Sequence, residues 1–141
     1  MIVVDASLAV KWYLDEPLAD QADAELVDHL GKISVPDIFI SEVVGVLVRR
    51  ANIDKSKRHN SEESIARLTA LFENAGIGAV RSSPQSIANG ANLALDLGHP
   101  LKDCIYLALA MELGCELVTC DARFAAKAKG VWAGVRVLGD A

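Results

Sequence analysis

Cysteine is scarce in this sequence: Cys104, Cys115 and Cys120 are odd in number and never spaced C-x-x-C, which excludes a disulfide framework and a zinc knuckle. The three thiols are expected to be either buried as small apolar groups or inert. Long apolar runs are missing too. No stretch approaches the ~20 residues that span a bilayer, and the start lacks a basic region followed by a long apolar core, so the expectation is a cytoplasmic protein with no membrane contact. Positive charge is in deficit, with a formal net charge of −5, which argues against a protein that coats nucleic acid through bulk basicity. A nuclease stays open, because acids gathered around a cation add to the negative total while the ion reverses their local effect. Gly76 and Gly78 have no third glycine at dinucleotide spacing, so a phosphate cradle is not expected there. His29, His59 and His99 belong to no nucleophile–His pattern and are assigned surface or capping roles. Trp12 and Trp132 are expected to pack rather than stack on bases.

What remains is a 141-residue chain, 52% hydrophobic and 5% aromatic, a size that fits one domain (1–141) and a composition that fits a helix-rich core. Ile2 to Val4 reads as a buried strand ending at Asp5. Helical spacing follows over Ala6 to Leu14, then Leu18 to Leu30 with Gly31 as stop, and a strand is expected at Ile33 to Val35. Ile38 to Asn52 repeats apolar residues at three and four; its length favours helix over strand despite the β-branched content. Arg49 to Arg58 reads as a polar connection, after which Asn60 or Ser61 caps a helix. Ala79 to Arg81 is a candidate strand. Ser83-Pro84 starts a helix to Leu97, Asp103 to Leu113 is the next, Glu116 to Thr119 a strand, Ala122 to Lys129 a helix and Val135 to Leu138 the last strand. The alternation is α/β, without internal repeats.

Four acids stand in apolar surroundings or directly after strands: Asp5, Glu42, Asp103 and Asp121. In open α/β sheets ligands collect at the carboxyl ends of strands, where Asp5 and Asp121 are expected. Taken singly, Asp103 and Asp121 also suit helix capping. If the four meet, two charges ~4 Å apart at an effective dielectric of ~20 repel by about 4 kcal/mol per pair. Such a cluster calls for a cation, and an all-carboxylate donor set suits a hard octahedral ion, Mg²⁺ or Mn²⁺, that keeps waters and meets substrate phosphates.

The order Val3-Val4-Asp5-Ala6-Ser7, then Pro36 to Glu42, then the run from Lys102 through Asp121 resembles the PIN domain, and within it the VapC-type toxins of bacterial toxin–antitoxin pairs. The resemblance covers nearly the whole chain. It implies a parallel β-sheet flanked by helices, an α/β/α sandwich, with an acidic pocket for one or two Mg²⁺ or Mn²⁺ ions. It implies an endoribonuclease in which metal-activated water attacks an RNA phosphodiester, silenced by a cognate antitoxin protein. Asp5, Glu42 and Asp103 match the three principal acids and Asp121 the fourth, while Ser7 and Thr119 match hydroxyls that orient water or carboxylates. Gly45 and Lys102 depart from the family pattern.

Arg49, Arg50, Lys55, Lys57 and Arg58 are the expected RNA contacts, with Lys127 and Lys129 behind them; phosphate contacts position RNA without reading its bases. A homodimer is also expected. The apolar run Val43 to Val48 is assigned to the core ahead of a dimer or antitoxin surface. Two alternatives are a catalytically silent partner-binding module and a phosphoaspartyl phosphatase with Asp5 as nucleophile. The latter wants a second acid where Ser7 stands.

Overall fold

The computed structural model describes residues 1–139, and its centre is the short strand at the chain's opening. β1 (Ile2–Val4) is buried at all three positions. Successive strand residues point to opposite faces, so burial of all three means that both faces of the sheet are covered there. β1 pairs in parallel with β2 (Ile33–Pro36) on one side and β4 (Glu116–Thr119) on the other. β3 (Ile77–Val80) extends the first side and β5 (Val135–Val137) the second, giving the parallel order β3-β2-β1-β4-β5. The chain runs outward from β1 to β3, then crosses back to lay β4 against β1's free edge. The carboxyl ends of β1 and β4 therefore flank the point where the winding reverses, where crevices open in such sheets.

Among the described residues seven helices flank the sheet: α1 (Ala6–Ala9), α2 (Ala19–Asp28), α3 (Ile38–Ile53), α4 (Arg58–Glu73), α5 (Pro84–Leu97), α6 (Leu101–Leu113) and α7 (Ala122–Ala128). Short 3₁₀ turns follow α1 and precede α4. α5 has the start expected of it: Ser83 and Ser86 form a reciprocal capping box, with Pro84 at the first helical position. Gly98 and Gly114, both left-handed, end α5 and α6. α5 and α6 approach closely at Gly90, where a Cβ would come within 3.1 Å of Ile105 Cγ1. Among the described residues, no helix is long and apolar enough to cross a membrane.

Several element boundaries differ from the sequence reading: α1 ends at Ala9 and passes into a 3₁₀ turn, α2 ends at Asp28, and α6 starts at Leu101 rather than Asp103. Arg49 to Arg58 is not a polar connection: α3 continues to Ile53, Asp54 caps a single 3₁₀ turn through the Ser56 N–H, and α4 begins at Arg58. Ser61 is no cap. Its hydroxyl is buried and donates 2.9 Å to the Leu47 carbonyl, tying α4 to α3. β3 starts two residues earlier than expected, directly after Gly76, because its register follows β2 from Ile33↔Ile77 to Pro36↔Val80. Val43 and Leu47 of α3 are in the core, whereas Ile40, Val48 and Ile53 are exposed. The tryptophans pack, each indole N–H donating to a backbone carbonyl: Trp12 to Ala22 and Trp132 to Cys115.

Candidate metal centre

Asp5 follows β1 and caps α1. Its Oδ1 accepts from the Leu8 N–H at 3.1 Å and the Ser7 hydroxyl at 2.7 Å, and Oδ2 accepts from the Thr119 hydroxyl at the end of β4. The residue is only 4% exposed, and this burial raises the carboxyl pKa to about 6. The Thr119, Ser7 and Leu8 donors pull the value down, the Asp103 charge adds slightly to the rise, and burial wins. Ser7 also accepts from the Cys120 N–H at 3.3 Å, and Thr119 from the Asp121 N–H at 3.1 Å. Two hydroxyls thus lace the carboxyl ends of β1 and β4 together around Asp5.

Asp121 caps α7, its Oδ1 accepting from the Phe124 N–H at 3.0 Å. Glu42 projects from the second turn of α3. One oxygen accepts from the Tyr106 hydroxyl at 2.7 Å, and the other lies 3.6 Å from the Lys102 ammonium. Tyr106 is 1% exposed, and burial, followed by the Glu42 carboxylate, drives its phenol far above the ordinary range. Asp103 occupies the first turn of α6 but caps nothing, since Pro100 holds the cap position. The helix's amino end favours a negative charge there.

Asp5, Ser7, Glu42, Asp103 and Asp121 line one cavity of about 400 Å³, together with Arg49, Lys102 and Tyr106. The four acids come from positions far apart in sequence and reach the same crevice. Of the five basic residues expected to contact RNA, Arg49 reaches this cavity. Lys55 and Arg58 line a different cleft with Val48, Ala51 and Ile65, and Arg50 and Lys57 line neither. Lys57 lies 3.9 Å from Asp54 and Arg58 3.4 Å from Glu62.

By donor type the four acids suit a divalent cation. Among the described residues, the group whose ligand atoms come within 4.8 Å of one another is His99, Asp103 and Asp121, without Asp5 or Glu42. Four carboxylates share a cavity whose cationic side chains, Arg49 and Lys102, are fewer than its acids, and one of those acids is buried deeply enough to resist ionisation. The donor set is oxygen-rich, as hard ions require. The thiols offer no alternative chemistry here: Cys104, Cys115 and Cys120 are free, and burial raises each of their pKa values, that of Cys120 to about 11.

Two residues of this neighbourhood have no role in the sequence reading. Tyr106 reaches Glu42 across 64 positions. His99, assigned to a surface turn, has a side chain only 10% exposed and lies against Asp103. His99, Asp103 and Asp121 can each bring one ligand atom within 4.8 Å of the others.

The PIN domain family model matches residues 2–130. Ribonuclease VapC3 of Pyrobaculum aerophilum is 27% identical over 126 residues, covering 89% of this chain and 93% of that protein. Among solved structures, the protein PAE2754 of Pyrobaculum aerophilum superposes with a TM-score of 0.71 at 20% identity, over 97% of this chain and 88% of that one. A toxin–antitoxin complex from Klebsiella pneumoniae gives 0.68 at 19% identity, over the full length of both chains. At these identities the structural likenesses speak for the fold.

Proposed function

The chain belongs to the PIN domain family, and from that membership we propose that it is a metal-dependent endoribonuclease acting as the toxin of a toxin–antitoxin pair. The observation that carries the reading is the convergence of Asp5, Glu42, Asp103 and Asp121 on one cavity at the reversal point of the sheet. These four residues would hold one or two Mg²⁺ or Mn²⁺ ions. When bound, such an ion supplies neutralisation of phosphoryl charge and activation of water for in-line attack.

The chain's own groups prepare that chemistry. The Ser7 and Thr119 hydroxyls and the Leu8 N–H lock Asp5 in one orientation, so no side-chain freedom is lost when it engages a cation. Tyr106 does the same for Glu42. Arg49 and Lys102, lining the same cavity, are placed to meet the phosphates on either side of the scissile bond. They position RNA without reading its bases. Relatives bearing the names ribonuclease VapC3 and toxin–antitoxin complex support RNA as substrate and an antitoxin as partner. A homodimer and a cytoplasmic location belong to the same proposal, with residues 1–141 acting as one nuclease domain.

Purified protein is expected to cut RNA with Mg²⁺ or Mn²⁺ and to stop on chelation. Asp103→Asn is expected to abolish cutting while circular dichroism stays unchanged. Cutting that survives chelation or that substitution refutes the site. Growth arrest on induction in a bacterial host, relieved by co-expression of a cognate antitoxin, tests the toxin role separately.

A further inference from the structure

Asp103 is held from outside the acidic cavity. His99 Nε2 lies 2.6 Å from Asp103 Oδ2, and because a carboxylate only accepts, the ring nitrogen donates. Among the described residues Asp103 Oδ1 has no hydrogen-bond partner, and it belongs to a residue that lines the cavity with Asp5 and Glu42.

The imidazole has little freedom to do otherwise. Gly98 in the left-handed region (φ 59) ends α5, and Pro100 caps α6, so His99 sits in a two-sided turn with a fixed exit direction. Its ring stacks on Phe124, centroids 4.7 Å apart and planes at 27°, and Phe124 is fully buried in α7, the helix that Asp121 caps. His99 does not line the cavity of the four acids. It borders an adjoining recess with Pro100, Arg123 and Lys127 that shares Asp121 with that cavity.

We propose that His99 is a positioning residue for the cation site, holding Oδ2 of Asp103 so that the carboxylate keeps one orientation toward Asp5 and Glu42. The inference rests on the metal-site reading above. Hydrogen-bonding partners of ligating carboxylates commonly contribute 10–100-fold to metal affinity, and His99 meets that description through a single well-formed bond to one of the proposed ligands. Direct ligation is the competing role, since the His99, Asp103 and Asp121 ligand atoms also lie within mutual reach.

The test is a Mn²⁺ titration of the full chain followed by the free-ion electron paramagnetic resonance signal, for wild type, His99→Gln, His99→Phe, Asp103→Asn and the His99→Phe/Asp103→Asn double variant. Phenylalanine keeps the stacking on Phe124 and removes the donor; glutamine keeps a donor. The expected result is about 10-fold or greater weakening in His99→Phe, near wild-type affinity in His99→Gln, and no further loss when His99→Phe is added to Asp103→Asn. Pulsed spectra of the wild-type Mn²⁺ complex should lack nitrogen coupling. Should His99→Phe not fold by circular dichroism, His99→Asn, whose amide is too short to reach, replaces it with the same expectation. Unchanged affinity in the donor-free variant overturns the positioning role while leaving the metal site standing. Nitrogen coupling that His99→Gln removes makes His99 a ligand and also overturns it. Failure of the wild type to bind Mn²⁺ overturns the metal site itself, and the role of His99 with it.

Discussion

Asp5→Asn is expected to destroy activity and stabilise the ion-free fold in one step. The folded chain holds the Asp5 carboxyl at about 6 against an ordinary 3.8, chiefly through burial. Keeping it ionised above that pH therefore costs about 3 kcal/mol relative to the unfolded chain. The amide removes that cost and retains an oxygen for the Ser7 hydroxyl and the Leu8 N–H. It gives up the charge-assisted bond from Thr119, an offset of roughly 1–2 kcal/mol, leaving a net gain of about 1–2 kcal/mol at about pH 8. The sign with pH follows from the raised value. The penalty is complete above about 6 and disappears as pH falls toward 3.8, so the difference between variant and wild type shrinks on acidification. The assay is urea unfolding in chelator at about pH 8 and about pH 5, repeated with saturating Mg²⁺. The cation should raise the midpoint of the wild type and leave the variant unmoved. An Asp5→Asn protein less stable than wild type at about pH 8 in chelator refutes the reasoning, for the Asp5 charge would then support the fold.

Tyr106→Phe removes the donor to Glu42 and should cost about 1 kcal/mol in urea unfolding, with a higher half-saturating Mn²⁺ concentration for RNA cleavage. Arg136→Met breaks the two-pronged pair with Glu25, whose pKa the Arg136 hydrogen bonds hold below its usual value. The expected loss of about 1–2 kcal/mol at neutral pH starts to shrink as pH falls below the ordinary range of Glu25 and is gone only once pH passes the lowered value in the fold, because a depressed acid contributes stability only while ionised; urea curves at about pH 7 and about pH 3.5 should show a smaller difference at the lower pH. Gly90→Ala sets a methyl within 3.1 Å of Ile105 Cγ1 and 3.4 Å of its backbone, so it should lower the melting temperature although alanine favours helix by about 1 kcal/mol.

The parts of this molecule that can be read in advance are those whose causes are local. β1 and β4 are apolar runs stopped by acids, α5 carries its own Ser-Pro start and Gly98 stop, and each acid's surroundings mark it as unusual. The α3–α4 junction departs from the sequence reading because Ser61, a good cap by type, has a better use in the core, reaching the Leu47 carbonyl of another helix. Tyr106 is not legible in the sequence: its role depends on a Glu 64 residues away, and nothing local distinguishes it from an aromatic packing residue. His99 carries one signal that could have found it. It stands four residues before Asp103 across a Pro-fixed helix start, the spacing at which side chains on a helix meet. The basic stretch reads as one surface in sequence, but the helical path of α3 and α4 sends only Arg49 to the acidic cavity.

The order of the sheet has a consequence for synthesis. A ribosome delivers β1 first, yet β4, which seals β1's second edge and carries Thr119 with Asp121 just beyond it, comes more than a hundred residues later. Until then the nascent chain has an open strand edge beside Asp5 and lacks both the Thr119 contact and the fourth carboxylate. A product truncated before β4 therefore holds Asp5, Glu42 and Asp103 but neither the Thr119 bond to Asp5 nor Asp121. The proposed acid site is thus complete only once β4 and the start of α7 have been made.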